Sequence, residues 1–153
     1  MIEPKAIISA ISDKLTTAVP ALKKVAPIAE FLKLKIEQYA LICPSVFVAY
    51  RGSKYSPIGN GYVLRDMEFY LLVCGRSYVS TTKLLVGSET KDGILDVIED
   101  VRSALTYYDF SDVEPSGLDL RPLEPIEDQE VDGDELFAVY GLVFRTAQKA
   151  KES

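Results

Sequence analysis

The residues best suited to chemistry lie near the C-terminus, where the chain reads EDQEVDGDELF over residues 127–137. Asp128, Glu130 and Asp132 alternate ahead of Gly133, the spacing at which a calcium loop offers its first oxygen ligands. Such a loop also needs a bidentate glutamate at its twelfth position, and counting from Asp128 that position is Val139. It must further lie between helices, whereas the flank LFAVYGLVF is β-branched and aromatic, the composition of a buried strand. Asp132-Gly133 reads instead as a two-residue hairpin turn, because a type I′ turn needs positive φ at both central residues. The acids then form the solvated rim of that hairpin, where charge opposes edge-to-edge aggregation.

Little other chemistry is on offer. The chain has no histidine, which removes the usual general base, the Ser-His-Asp and Cys-His arrangements and the commonest transition-metal ligand. Cys43 and Cys74 lie far apart, each inside an apolar run, and read as buried free thiols. The glycines are scattered through turns and form neither a Walker A nor a Rossmann pattern. Two carboxylates suffice for glycoside hydrolysis, yet no particular pair stands out. No catalytic, metal-binding or cofactor-binding residue is assigned, no cofactor is expected, and the chain is not expected to be an enzyme.

Bulk properties set the remaining bounds. With 153 residues, 48% hydrophobic and 26% charged, the chain suits one globular domain over residues 1–153, without long disorder. A net charge of -6 speaks against a nucleic-acid partner, which would face a concentrated basic surface. No apolar stretch approaches the ~20 residues that span a bilayer, and the longest, FYLLVCG at 69–75, is strand-sized. The N-terminus MIEPKAIISAI lacks the basic and long apolar regions of a secretory signal, so an intracellular product with no membrane partner is expected.

The elements that must position these residues follow from periodicity. A first helix is expected from about Ile2 to Thr17, with Pro4 in its first turn and Ile7, Ile8, Ile11 and Leu15 on one face; Pro20 closes the segment. Residues 21–44 are ambiguous, with a possible short strand at Leu22–Ala26, a break at Pro27 and a possible short helix after it. SVFVAYRG at 45–52 is a strand, and SKYSPIGNG after it has the glycines, asparagine and proline of a loop tip. YVLRDMEFYLLVCG alternates cleanly, half-exposed at its start near Arg65 and buried at its end, as a central strand would. Asp92 is a candidate N-cap for a second helix over about 92–108, with Ile94, Val97, Ile98, Val101 and Leu105 inward. A closing hairpin follows, its first strand confined to an edge or bulge by Pro122 and Pro125. Gly141 in its second strand marks a bulge or a close backbone approach, and the QKAKES tail is expected to fray. Helix, two or three strands, helix and two strands predict an α+β fold: an antiparallel sheet of about four to five strands with two long helices packed against it.

Four stretches, IISAISDKLTTAVPAL, GYVLRDMEFYLLVCGRS, GILDVIEDVRSAL and LFAVYGLVFRT, together resemble the tail-terminator proteins of contractile-tailed phages, in particular the Mu-like branch. The resemblance covers most of residues 6–146 and leaves the 21–44 excursion unaligned. It implies a structural protein that assembles as a ring, a hexamer, on the head-proximal end of a tail tube and stops polymerisation there. The implied partners are further copies of itself, the tube and sheath proteins and the head connector. The implied location is the host bacterial cytoplasm, then the virion or a tail-like particle.

A ring needs a heterologous interface, one patch meeting a different patch on the neighbour. The tip RGSKYSPIGNGY mixes cations with aromatics at Arg51, Lys54, Tyr55 and Tyr62, as interface centres often do, although an ordinary flexible loop has the same composition. The acidic hairpin, with Asp132 and Asp134, is its candidate counterpart on the next subunit. The run Tyr107-Tyr108-Asp109-Phe110 is either a further contact or a core edge. Two readings of other classes stand beside assembly. A small ligand-binding or regulatory domain would show an apolar cavity with convergent polar groups, and a carboxylate-based hydrolase would show a deep pocket flanked by two acids.

Overall fold

Apolar residues at helical spacing settle the first element. Helix α1, Pro4–Ala18, starts with proline at its N-terminus and buries Ile7, Ala10, Ile11 and Leu15 along one stripe. The computed structural model describes residues 3–33, 42–76, 93–111, 113, 120–133 and 137–151. After α1 come strand β1 (Lys24–Pro27), the single turn α2 (Ile28–Phe31), the long strands β2 (Ser45–Gly59) and β3 (Tyr62–Arg76), helix α3 (Ile94–Leu105) and strands β4 (Glu124–Gly133) and β5 (Phe137–Lys151). Asp92 lies outside the described residues; the N-cap of α3 is Gly93, and the predicted inward stripe from Ile94 to Leu105 is buried in full.

The fold is α+β, with a five-stranded sheet in the order β1-β2-β3-β5-β4. The expectation of an antiparallel sheet is corrected at one edge: β1 runs parallel to β2, Lys24–Pro27 aligning with Ser45–Val48. Parallel neighbours need a crossover of a dozen or more residues, and the ambiguous stretch after Pro27 supplies it. Strand β3 is central, as its alternation predicted. Two helices, α1 and α3, are of ordinary length, and α2 is a single turn.

Alternation divides the sheet into two faces. Met67, Phe69, Leu71 and Val73 of β3 join Val46 and Val48 of β2, Leu142 and Phe144 of β5 and the stripes of α1 and α3 in the main core. The intervening Leu72 and Cys74 meet Phe47, Ala26, Cys43 and Val139 on the opposite face, beside Phe31 of α2, whose ring lies 5.2 Å from that of Phe47. Cys43 and Cys74 are buried and free.

Three further expectations are corrected. The stretch after Arg51 is strand rather than loop. Beyond Val48, β2 has outgrown β1 and has no outer partner among the described strands, so Pro57 costs no central ladder bond there, while bulges at Tyr50/Gly52 and Pro57/Gly59 absorb the glycines. The turn itself is Asn60-Gly61, closed by the Gly59–Tyr62 pair, with φ of 56° and 76° as type I′ requires. Asp132 and Gly133 are ladder residues opposite Val139 and Ala138, so the closing hairpin turns beyond them. Finally, the tail does not fray at its start: Gln148 to Lys151 pair with Arg65 to Tyr62. The close approach expected at Gly141 is present, since a Cβ there would stand 2.2 Å from the Tyr70 hydroxyl.

Candidate functional site

Past the helices, β2, β3 and the end of β5 continue together as a three-stranded arm. Lys54 to Tyr62 are all exposed, including the apolar surfaces of Tyr55 (57%), Ile58 (48%) and Tyr62 (37%). Lys54 stands opposite Asp66 on the neighbouring strand. Lys149 places its ammonium 4.5 Å from the centre of the Tyr62 ring, a cation–π contact on an exposed surface. Lys151 pairs with Tyr62 in the ladder and is exposed as well.

The base of the arm is polar yet closed. Arg65 is buried, contrary to its expected exposed end, because alternation places it on the same face as Met67. Its Nε donates to the Ser53 hydroxyl at 3.1 Å, Ser53 in turn bonds the Tyr50 hydroxyl, and the guanidinium lies 5.9 Å from the Tyr55 ring centre. Thr146 and Gln148, also buried, sit on β5 opposite Met67 and Arg65. The arm is thus fixed to the sheet by a buried polar set as well as by its ladder.

On the opposite face a row of alternating charge crosses the sheet. Arg145 faces Glu68 on one side and Glu124 on the other, and its Nη2 bonds Glu124 at 3.1 Å. Arg51 contacts both Glu68 and Glu127 at 3.7 Å. Glu127 belongs to β4, three strand spacings from β2, roughly 14 Å across a flat sheet. The extended side chains of Arg51 and Glu127 span that distance by lying across the sheet face. Ala49, Arg51, Tyr70, Glu127, Gln129 and Val143 line a depression of about 530 Å³.

The far edge of the sheet is acidic. Strand β4, EPIEDQEVDG, carries Glu124, Glu127, Asp128, Glu130 and Asp132 and no base. Every residue from Glu124 to Val131 is exposed, Ile126 and Val131 included, at 42% and 49%. Asp128 is bridged to Arg102 of α3. The Tyr140 phenol on β5 has its pKa raised, first by burial and then by the Glu130 carboxylate.

Of the predicted interface residues, Lys54, Tyr55 and Tyr62 all lie on the arm, Lys54 and Tyr62 on one face and Tyr55 on the other. Arg51 lies at its base, engaged with two glutamates. Asp132 sits in the β4 ladder on the other side of the sheet, and Asp134 lies outside the described residues. Tyr108 and Phe110 are core, whereas Tyr107 is 73% exposed in a left-handed conformation (φ 61°). Sequence reasoning missed Lys149 and Lys151. Their signal was alternation in RTAQKAK, where Ala147, Lys149 and Lys151 interleave with Thr146, Gln148 and Ala150 at strand period.

The open depression is not an apolar cavity, and its one acid, Glu127, is paired with Arg51. Burial pushes the Cys74 thiol up to about 11, so it is a poor nucleophile. Among the described residues no group of histidine, cysteine and carboxylate side chains is arranged to hold a metal, and no helix is long and apolar enough to cross a membrane.

Comparison with known families matches residues 3–152 to the family described as phage tail terminator protein. No curated protein matches the chain significantly.

Proposed function

The chain belongs to the phage tail terminator family, which makes it a structural protein of phage tail assembly, and from that premise we propose that it caps the head-proximal end of the tail tube. In this reading copies close into a hexameric ring, stop further addition of tube and sheath subunits, and present a surface to the head connector. The observation that carries it is the family match, which runs through every described helix and strand. The charged arm and acidic edge support it, since they offer two unlike surfaces where a ring needs one to meet the other. Arg51, Lys54, Tyr55, Tyr62, Asp132 and Asp134 are proposed as contact residues between neighbouring copies.

The test is tail length. Tube and sheath proteins produced without this chain are expected to form tails of broad, extended length by electron microscopy, and adding the chain is expected to restore a narrow distribution. Tails of uniform length in its absence would overturn the capping role.

A further inference from the structure

We infer that the ring contact is head-to-tail, with the basic arm of one copy seated on the acidic β4 edge of the next. The inference rests on the ring reading above and specifies which surfaces meet. The occupant of each surface is a second copy of this chain, argued from charge, exposed apolar area and the state of the two sheet edges.

Charge is segregated along the molecule. Among the described residues no carboxylate lies within ion-pair distance of Lys54, Lys149 or Lys151, and Asp66 is the only acid in the arm's strands from Lys54 to Asp66 and from Arg145 to Lys151. At the other extreme, three of the five β4 acids are met from within the chain: Glu124 by Arg145, Glu127 by Arg51 and Asp128 by Arg102. Glu130, farther along the strand, lies beside the Tyr140 phenol, and a strand with five acids and no base keeps excess negative charge at that edge. Strand β4 begins with Glu124 opposite Arg145 and runs along β5 toward Ala138, away from Lys149 and Lys151, so the arm's lysines lie beyond the end of their own acidic edge.

Exposed apolar groups fall in the same two places. Tyr62 lies on the face of the arm that carries Lys54, Lys149 and Lys151, Tyr55 lies on the reverse face opposite Arg65, and Ile126 and Val131 stand among the β4 acids. Exposed aromatic and apolar groups beside charges are common at protein interfaces.

The edges decide between symmetric and head-to-tail contact. Beyond Val48 β2 has no outer partner among the described strands, and β4 is the opposite edge. Pairing β4 with a second β4 would set like charges against each other. Pairing arm with arm would oppose lysines. Both isologous contacts are disfavoured, whereas arm-on-edge joins opposite charges, and a heterologous contact is the kind that a closed ring repeats.

A charge-swap experiment tests this on tails. One full-length variant carries Lys54→Glu, Lys149→Glu and Lys151→Glu; the other carries Glu130→Lys and Asp132→Lys. Each variant alone opposes like charge to like at every contact and is expected to lower the amount retained on purified tails by about tenfold or more. An equal mixture alternates complementary surfaces in both directions and is expected to return to within about twofold of wild type. Recovery on mixing also shows that both variants are folded. Wild-type retention together with undiminished retention of each variant alone would overturn the head-to-tail contact and leave the capping role standing. The same holds if each variant alone is lost and the mixture fails to recover while thermal melting of both is unchanged. Wild-type protein absent from tails would overturn the capping role and this inference with it.

Discussion

Strands β2 and β3 pair continuously over their whole length, yet their two halves live in different environments. In the inner half, Val46, Phe47, Val48, Phe69, Leu71, Leu72, Val73 and Cys74 are buried on both faces of the sheet, by α1 and α3 on one side and by Phe31 and Cys43 on the other. In the outer half, from Lys54 through the turn to Tyr62, every residue is exposed. The same ladder therefore does two jobs. Apolar burial in the inner half supplies cohesion, at about 25 cal/mol per Å². The outer half adds little burial in the isolated chain, and what holds it is its pairing with β5 and the polar set around Arg65. Stability and assembly are carried by opposite ends of one hairpin, and substitutions should separate them.

The sharpest break comes from the inner half. Phe69→Ala removes a ring with no solvent exposure, packed beside Tyr50 at 5.5 Å between centroids. Cavity formation plus lost transfer energy should cost about 3–5 kcal/mol, measured as a lower midpoint in urea unfolding at constant slope. A loss under about 1 kcal/mol would mean that the inner half is not the cohesive one.

Next in size is a pH effect at Cys74. Burial raises this thiol from 9.0 to about 11, against a lowering hydrogen bond to Ser45. A raised folded-state pKa contributes stability that is complete below pH 9 and lost as pH rises from about 9 to about 11, on the order of 2–3 kcal/mol in all. Unfolding followed across that window should give a steeper decline for the wild type than for Cys74→Ala, and equal slopes would remove the argument. In the same window both thiols should resist aromatic disulfide reagents until the chain unfolds.

Two glycines sharpen the comparison by acting through different physics. At Gly75, in the inner half, an added Cβ would lie 2.8 Å from the Ile94 Cα, backbone at the start of α3 that has little room to retreat. Gly75→Ala should cost about 1–3 kcal/mol by overpacking. At Gly61 nothing lies within 4 Å of an added Cβ, and the penalty is only the positive φ of 76°. Gly61→Ala should cost about 1 kcal/mol, with faster amide exchange confined to the arm. The reverse ranking would place the strain in the arm.

How much of this could be read beforehand also follows the two halves. Both helices were legible because Ile7, Ile11 and Leu15, and Ile94 to Leu105, hold helical period against a polar remainder. The inner strands were legible for the same reason at period two. The outer half misled because Gly52, Pro57 and Gly59 are the vocabulary of loops, while the fold uses them as a bulge, an edge residue and a turn flank. The tail misled because RTAQKAK lacks large apolar groups, although its alternation is that of a strand. Parallel β1 was hidden because its four residues pair with a strand that starts eighteen positions beyond the end of β1, and local pattern has no access to such a distance. At the site, the individual residues Lys54, Tyr55 and Tyr62 were legible. Their alliance with Lys149 and Lys151 was set by sheet order.

The smallest stability effect is the one that best separates the two halves. Tyr55 and Ile58 are about half exposed already, so Tyr55→Ser with Ile58→Ser forfeits little burial and should change unfolding free energy by less than about 1 kcal/mol. Tyr55 also flanks the Arg65 guanidinium, a contact that is only worth about 0.5–1 kcal/mol near a surface. The pair should therefore melt like wild type and yet lose retention on tails, because exposed apolar surface of the arm is gone while its charges remain. A melting loss of several kcal/mol would show instead that the arm is part of the cohesive core, and the division of labour along β2 and β3 would fail at its own outer end.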